Sequence, residues 1–182
     1  MSDGCLGEEK GKLDLSHMVH LKCVRIGNHC FGNANDVIIT GLRALESVVI
    51  GDHCFSSKKK NIFGFELKRC FHLCDCPKLK ELKIGANSFL LYDECVIENV
   101  DALEVIEMGE LNEVSFNFHS ASLELNGLMK LKSLLVGKES FENCDRVVFE
   151  NLPVLTSVQM GWNAFKFNNN NAESVLIVRN LT

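Results

Sequence analysis

The sequence predicts a β-rich solenoid whose coils of about 24 residues each carry two short strands, stacked into two parallel sheets. Two observations predict it. A phrase of the form apolar-Gly-x-x-small-Phe recurs along the chain. Around each copy, apolar side chains alternate with a period of two, the signature of a half-buried strand. The phrase is read at Ile26-Gly27-Asn28-His29-Cys30-Phe31 and returns at Ile50-Gly51-Asp52-His53-Cys54-Phe55. Further copies run from Ile84 to Phe89, from Val136 to Phe141 and from Met160 to Phe165, with an imperfect one starting at Met108-Gly109. The successive glycines lie 24, 34, 24, 28 and 24 residues apart. Repetition at a fixed period of this length marks a stacked repeat architecture.

Each element of the unit has a physical reason. In the segment Leu45 to Gly51, Val48 and Ile50 alternate inward around an outward Val49 and form the first strand. The glycine turns the chain at a corner, through a positive φ or a close backbone approach. The Phe four residues on points inward, and Phe31, Phe55, Phe89, Phe141 and Phe165 are expected to form a ladder. Next comes the second strand, with Val37 and Ile39 as its inward pair. A second corner falls at Gly41, Asn99, Gly127, Asn151 or Asn180, the two residue types most tolerant of left-handed backbone. Leucines such as Leu42 and Leu45 then fill the end of the core.

Residues 37–45, 95–103 and 147–155 align as second strands with their corners, and residues 71–79 and 123–131 take the same slot after insertions. Residues 13–21 open the series and residues 176–181 close it. The organisation expected is a flexible tail over residues 1–12, then one solenoid domain of about six coils over residues 13–182, with insertions near 56–64, 110–116 and 166–171. A single coil buries too little to offset its ordering entropy, so the coils must fold by stacking on one another.

The phrase Ile-Gly-x-x-(Cys/Ser/Ala)-Phe, preceded by Leu-x-x-Leu-x-Ser-Val, resembles the leucine-rich repeats of the BspA type, over about residues 13–181. Members of that family are bacterial and protist surface proteins that recognise many ligands. The resemblance implies a leucine-rich-repeat-like solenoid and a role in protein binding. A Cys after the Phe is frequent in the family, as Cys144 after Phe141, and only Pro77 and Pro153 represent its proline-rich second half.

Composition narrows the function classes. A net charge of −5 disfavours nucleic acid, which needs a basic stripe. No apolar run approaches the roughly 18–20 residues of a membrane helix, so membrane insertion is not expected. Residues 1–10 include acids and lack an apolar stretch, so they do not read as a secretory leader. The default expectation is the cytoplasm, with the cell surface as the alternative if the chain is a fragment.

Nine cysteines raise the question of metal or disulfide chemistry, but no Cys-x-x-Cys pair occurs. His29-Cys30 and His53-Cys54 fall in equivalent slots, yet consecutive residues of an extended chain point opposite ways. The Cys slot is shared by Ser88, Ser140 and Ala164, a set defined by small size. Cys70, His72, Cys74 and Cys76 are the densest ligand group, but side chains two apart on a flat strand are separated by roughly 7 Å. No metal, cofactor or catalytic residues are therefore expected, and the chain is read as a non-enzyme.

The candidate sites are surfaces. The outward row of the first strands reads Arg25, Val49, Lys83, Glu107, Leu135 and Gln159. That of the second strands reads Ile38, His72, Val96, Glu124, Val148 and Ile177, where Ile38, Val96, Val148 and Ile177 form an apolar strip that suggests a contact face. Trp162, the single tryptophan, occupies the slot of Asn28, Asp52, Ala86, Glu110 and Lys138 and is a candidate anchor. The expected partner is a protein ligand. Self-association through uncapped solenoid ends is the alternative.

Overall fold

The computed structural model describes residues 11–56, 68–168 and 170–181. The described residues form thirteen strands and no helix. They are β1 (Gly11–Asp14), β2 (Cys23–Ile26), β3 (Ala34–Thr40), β4 (Ser47–Ile50), β5 (Cys70–Cys74), β6 (Glu81–Ile84) and β7 (Glu94–Glu98). There follow β8 (Val105–Met108), β9 (Ser122–Asn126), β10 (Ser133–Val136), β11 (Arg146–Glu150), β12 (Ser157–Met160) and β13 (Val175–Arg179). Odd-numbered strands make a seven-stranded sheet and even-numbered strands a six-stranded one, each in chain order. Every neighbouring pair is parallel, each coil stacking on the next. The chain is a parallel β-solenoid of about six turns with two sheets.

The period-two pattern explains the core. Along β4, β6, β8 and β10 burial alternates half-buried, buried, half-buried, buried, so Val48, Ile50, Leu82, Ile84, Ile106, Met108, Leu134 and Val136 face inward. The seven-stranded sheet supplies Val37, Ile39, Phe71, Leu73, Cys95, Ile97, Leu123 and Leu125 from its side. The phenylalanines stack between the sheets. Ring centroids are 5.4 Å apart for Phe31–Phe55 and 4.6 Å for Phe55–Phe89. The ladder continues through Phe118, at 4.8 Å from Phe89 and 5.3 Å from Phe141, and then to Phe165 at 5.3 Å.

Phe118 was outside the sequence-based ladder because the phrase is broken in its coil. The insertion after Gly109 delays the corner by five residues, and the Trp162 slot in this coil belongs to Ser115, not Glu110. Backbone bonds fix that assignment: Asn87 N–H donates to Ser115 O, and Ser115 N–H donates to Lys138 O. Asn117 then takes the small-residue slot and is fully buried. Its Nδ2 donates to Gly85 O at 2.7 Å and to Ser88 O at 3.3 Å, while its Oδ1 accepts from Ser140 Oγ at 3.4 Å.

At the first corner close approach is the common reason for glycine, and a positive φ is added at Gly109 (φ 72°). Gly51 and Gly85 do not have positive φ, but a Cβ on either would collide with the side chain of Asn28 or Asp52 in the preceding coil. Those side chains accept the backbone N–H of Asp52 and Ala86, each at 2.8 Å. Left-handed backbone falls instead two and four residues later, as at His53 (φ 55°) and Phe55 (φ 57°). The second corner is left-handed as expected, at Gly41, Asn99, Gly127, Asn151 and Asn180, and Asp75 joins the set.

Two boundaries shift. Gly11 and Lys12, assigned to a tail over residues 1–12, belong to β1, where Lys12 pairs in register with Asp36. Residues 1–10 of that tail, and most of the insertion near 56–64, lie outside the described residues.

Candidate functional site

The six-stranded sheet presents its outward row in strict register. Arg25 lies beside Val49, Val49 beside Lys83, Lys83 beside Glu107, Glu107 beside Leu135, and Leu135 beside Gln159. Arg25 and Gln159 are exposed, and the four between are half-buried. Lys83 Nζ reaches Glu107 Oε2 at 3.4 Å and Glu81 Oε2 at 3.8 Å. Beside this row the insertion in the fourth coil rises over the sheet. Lys83, Glu107 and Leu135, with Glu110, Leu111 and Asn112 of the insertion, line an open groove of about 560 Å³. A short parallel bridge between Val114 and Lys138 anchors the far end of the insertion.

The outward row of the seven-stranded sheet also keeps its register from Ile38 through His72, Val96, Glu124 and Val148 to Ile177. It is less open than its composition suggests. Ile38, Val96 and Ile177 are half-buried, and Val148 is 2% exposed. Val148 is therefore withdrawn from the candidate surface: a short β-branched side chain lies in register between the longer Glu124 and Ile177, which leave it little access to solvent.

Trp162 is the most exposed large apolar residue described, at 68%, with Lys138 Nζ 5.6 Å from its ring centroid. It does not stand alone. Val154, Val158, Met160, Val175, Leu176 and Val178, all from the coil that holds β12 and β13, are exposed too. Val158, Met160, Leu176 and Val178 sit in slots that other coils bury, as their register with Leu134, Val136, Val147 and Phe149 shows.

The cysteines separate into two groups. Cys30 and Cys54 are buried, and Cys54 Sγ donates to Gly27 O at 3.0 Å, while the His29 and His53 rings stack outside with centroids 4.8 Å apart. All eight described cysteines are free thiols. Cys70 and His72 share the outward face of β5, and Glu94 of β7 lies in register with Cys70. One donor atom from each falls within 4.8 Å of the others, so these three side chains could hold a metal ion. Burial and then the Glu94 carboxylate push the Cys70 thiol up to about 11. The Lys68 ammonium, 2.9 Å from Glu94 Oε2, draws the Glu94 carboxyl below its ordinary value. Cys74 faces a different carboxylate, Glu98, with Sγ 3.6 Å from Oε1, and burial raises it to about 12. Cys76 and Cys95 face the core.

With the fold and these surfaces in view, comparison with protein-family models, curated proteins and solved structures finds no match. Among the described residues no helix is long and apolar enough to cross a membrane. The sequence discloses only the insertion that builds the groove; the repeat alignment sets Glu94 opposite Cys70, but nothing in the sequence marks Glu94 out from the other outward acids.

Proposed function

We propose that the chain is a non-catalytic protein-recognition module of the leucine-rich-repeat kind, similar to the BspA type, that takes a protein ligand on the outward face of its six-stranded sheet. The observation that carries this reading is the groove in which Lys83, Glu107 and Leu135 lie under the fourth-coil insertion. A concave, part-apolar surface with a few charged groups on a rigid sheet suits recognition, and loops held by such scaffolds commonly carry contacts. Affinity capture with quantitative mass spectrometry tests it, comparing the wild type with Leu135→Asp and with Val96→Asp on the opposite sheet. A protein retained by the wild type and by Val96→Asp but lost with Leu135→Asp supports the groove. Equal capture by all three would refute it.

A second reading, assembly with another copy of the chain, is favoured by the exposed core-slot residues of the coil holding β12 and β13. An open edge of parallel strands beside apolar side chains is a template for pairing. Light scattering over a concentration series decides: association abolished by Met160→Glu supports assembly, and a strict monomer at high concentration excludes it.

A further inference from the structure

Cys70 and His72 lie two residues apart on one strand, the spacing that seemed to forbid a shared ligand. Their Cα separation is indeed too long for a flat strand to hold a metal through Cys70, His72 and Cys74 together, and Cys74 turns to Glu98. The neighbouring coil changes the geometry. Adjacent strands are only about 4.8 Å apart, and β7 brings Glu94 opposite Cys70. Glu94 Oε2 sits 3.6 Å from Cys70 Sγ and 3.8 Å from His72 Nε2.

We propose that Cys70, His72 and Glu94 form a zinc site that clips the coil of β5 to the coil of β7, with its remaining coordination position open to solvent. The donor set of thiolate, imidazole and carboxylate matches zinc, whereas calcium and magnesium take oxygen ligands. Zinc bonds of about 2.0–2.3 Å in a tetrahedron place donor atoms roughly 3.3–3.6 Å apart. The two distances from Glu94 are already close to that range, so a small side-chain rotation of Cys70 or His72 completes the set. The His72 ring is 39% exposed, but its Nε2 is turned in towards Glu94, out of solvent contact and without a hydrogen bond, which leaves that nitrogen free to take a ligand. Finally, Asp36 flanks Cys70 in register from the other side, adding negative charge near the cation.

Lys68 is the competitor. Its ammonium holds Glu94 Oε2, but its side chain is 65% exposed and such surface pairs are weak, so a divalent ion at the carboxylate displaces it. That relation gives the site a second, opposite-signed readout.

Cobalt(II) titration of the full chain under a phosphine reductant provides the test, because cobalt reports thiolate ligation in the near ultraviolet and tetrahedral geometry in the visible. The expected result is one equivalent of bound cobalt with both bands, bleached by equimolar zinc. Cys70→Ser removes the thiolate band, and His72→Ala and Glu94→Gln each weaken binding at least tenfold. Lys68→Met tightens it, and Cys74→Ser leaves it unchanged. Cys70, His72, Cys74 and Glu94 face outward on the sheet and Lys68 precedes β5, and circular dichroism checks that each variant folds. Absence of tetrahedral bands in the wild type, or bands that persist in Cys70→Ser, would overturn the proposal, since the remaining cysteines would then account for any binding.

Discussion

Asn117 shows what one residue can hold in a solenoid. It occupies a slot that other coils fill with Cys, Ser or Ala, and its amide satisfies carbonyls at Gly85 and Ser88 in the coil before. Asn117→Ala removes those donors without exposing the acceptors to water, and each buried unsatisfied group costs about 1–3 kcal/mol. The expected loss is about 2–4 kcal/mol, read as a lower urea midpoint with an unchanged slope. The thiols act at the same scale through pH. Burial raises Cys144 to about 11 and Cys74 to about 12, from the ordinary value of 9.0. Cys95, fully buried, is raised as well. The folded chain therefore holds these protons more tightly than the unfolded chain. That stability is fully present below about pH 9 and is lost as pH rises towards 11–12. Urea midpoints measured at pH 8 and pH 10.5 should fall in that order; a midpoint that stays constant would contradict the burial of these groups.

At the scale of the element, the two corners of each coil use different physics and make different predictions. At Gly85 the obstacle is the preceding corner: besides the Asp52 side chain, backbone at Gly51 C and Asp52 N would lie 2.6 and 2.7 Å from an added Cβ. At Gly41 the space is open and the obstacle is a φ of 69°. Gly41→Ala should cost about 1–2 kcal/mol, the penalty of a left-handed alanine. Gly85→Ala should cost more, because packed backbone cannot move aside. Thermal unfolding of the pair ranks them.

The elements also show what the sequence disclosed. Alternation at Val48-Val49-Ile50 and its equivalents set inward and outward faces correctly, because one buried face fixes strand register. The fourth coil departs from the repeat because its insertion separates Gly109 from Ser115 and moves the Phe to position 118. Val148 was placed on the correct face but not in the correct environment, since burial on a sheet depends on the lengths of cross-strand neighbours. The 24-residue step already sets Glu94 opposite Cys70, but spacing does not show whether their side chains converge: that depends on both lying on the outward face and on how far the carboxylate reaches.

For the whole molecule, each coil is held by the coils on either side, so stability is a sum of nearest-neighbour terms. Central coils have two neighbours. The coil of β12 and β13 has one within the described residues and exposes Met160 at 56% and Leu176 at 55%. The recognition face proposed for the six-stranded sheet depends on this stacking, because Lys83, Glu107 and Leu135 come from three successive coils. Amide hydrogen exchange read by mass spectrometry tests the stacking most directly. Peptides covering β6, β8 and β10 should exchange slowest, with protection falling towards β12 and β13. Protection of β12 and β13 equal to that of β6 and β8 would contradict a solenoid whose coils are held by their neighbours.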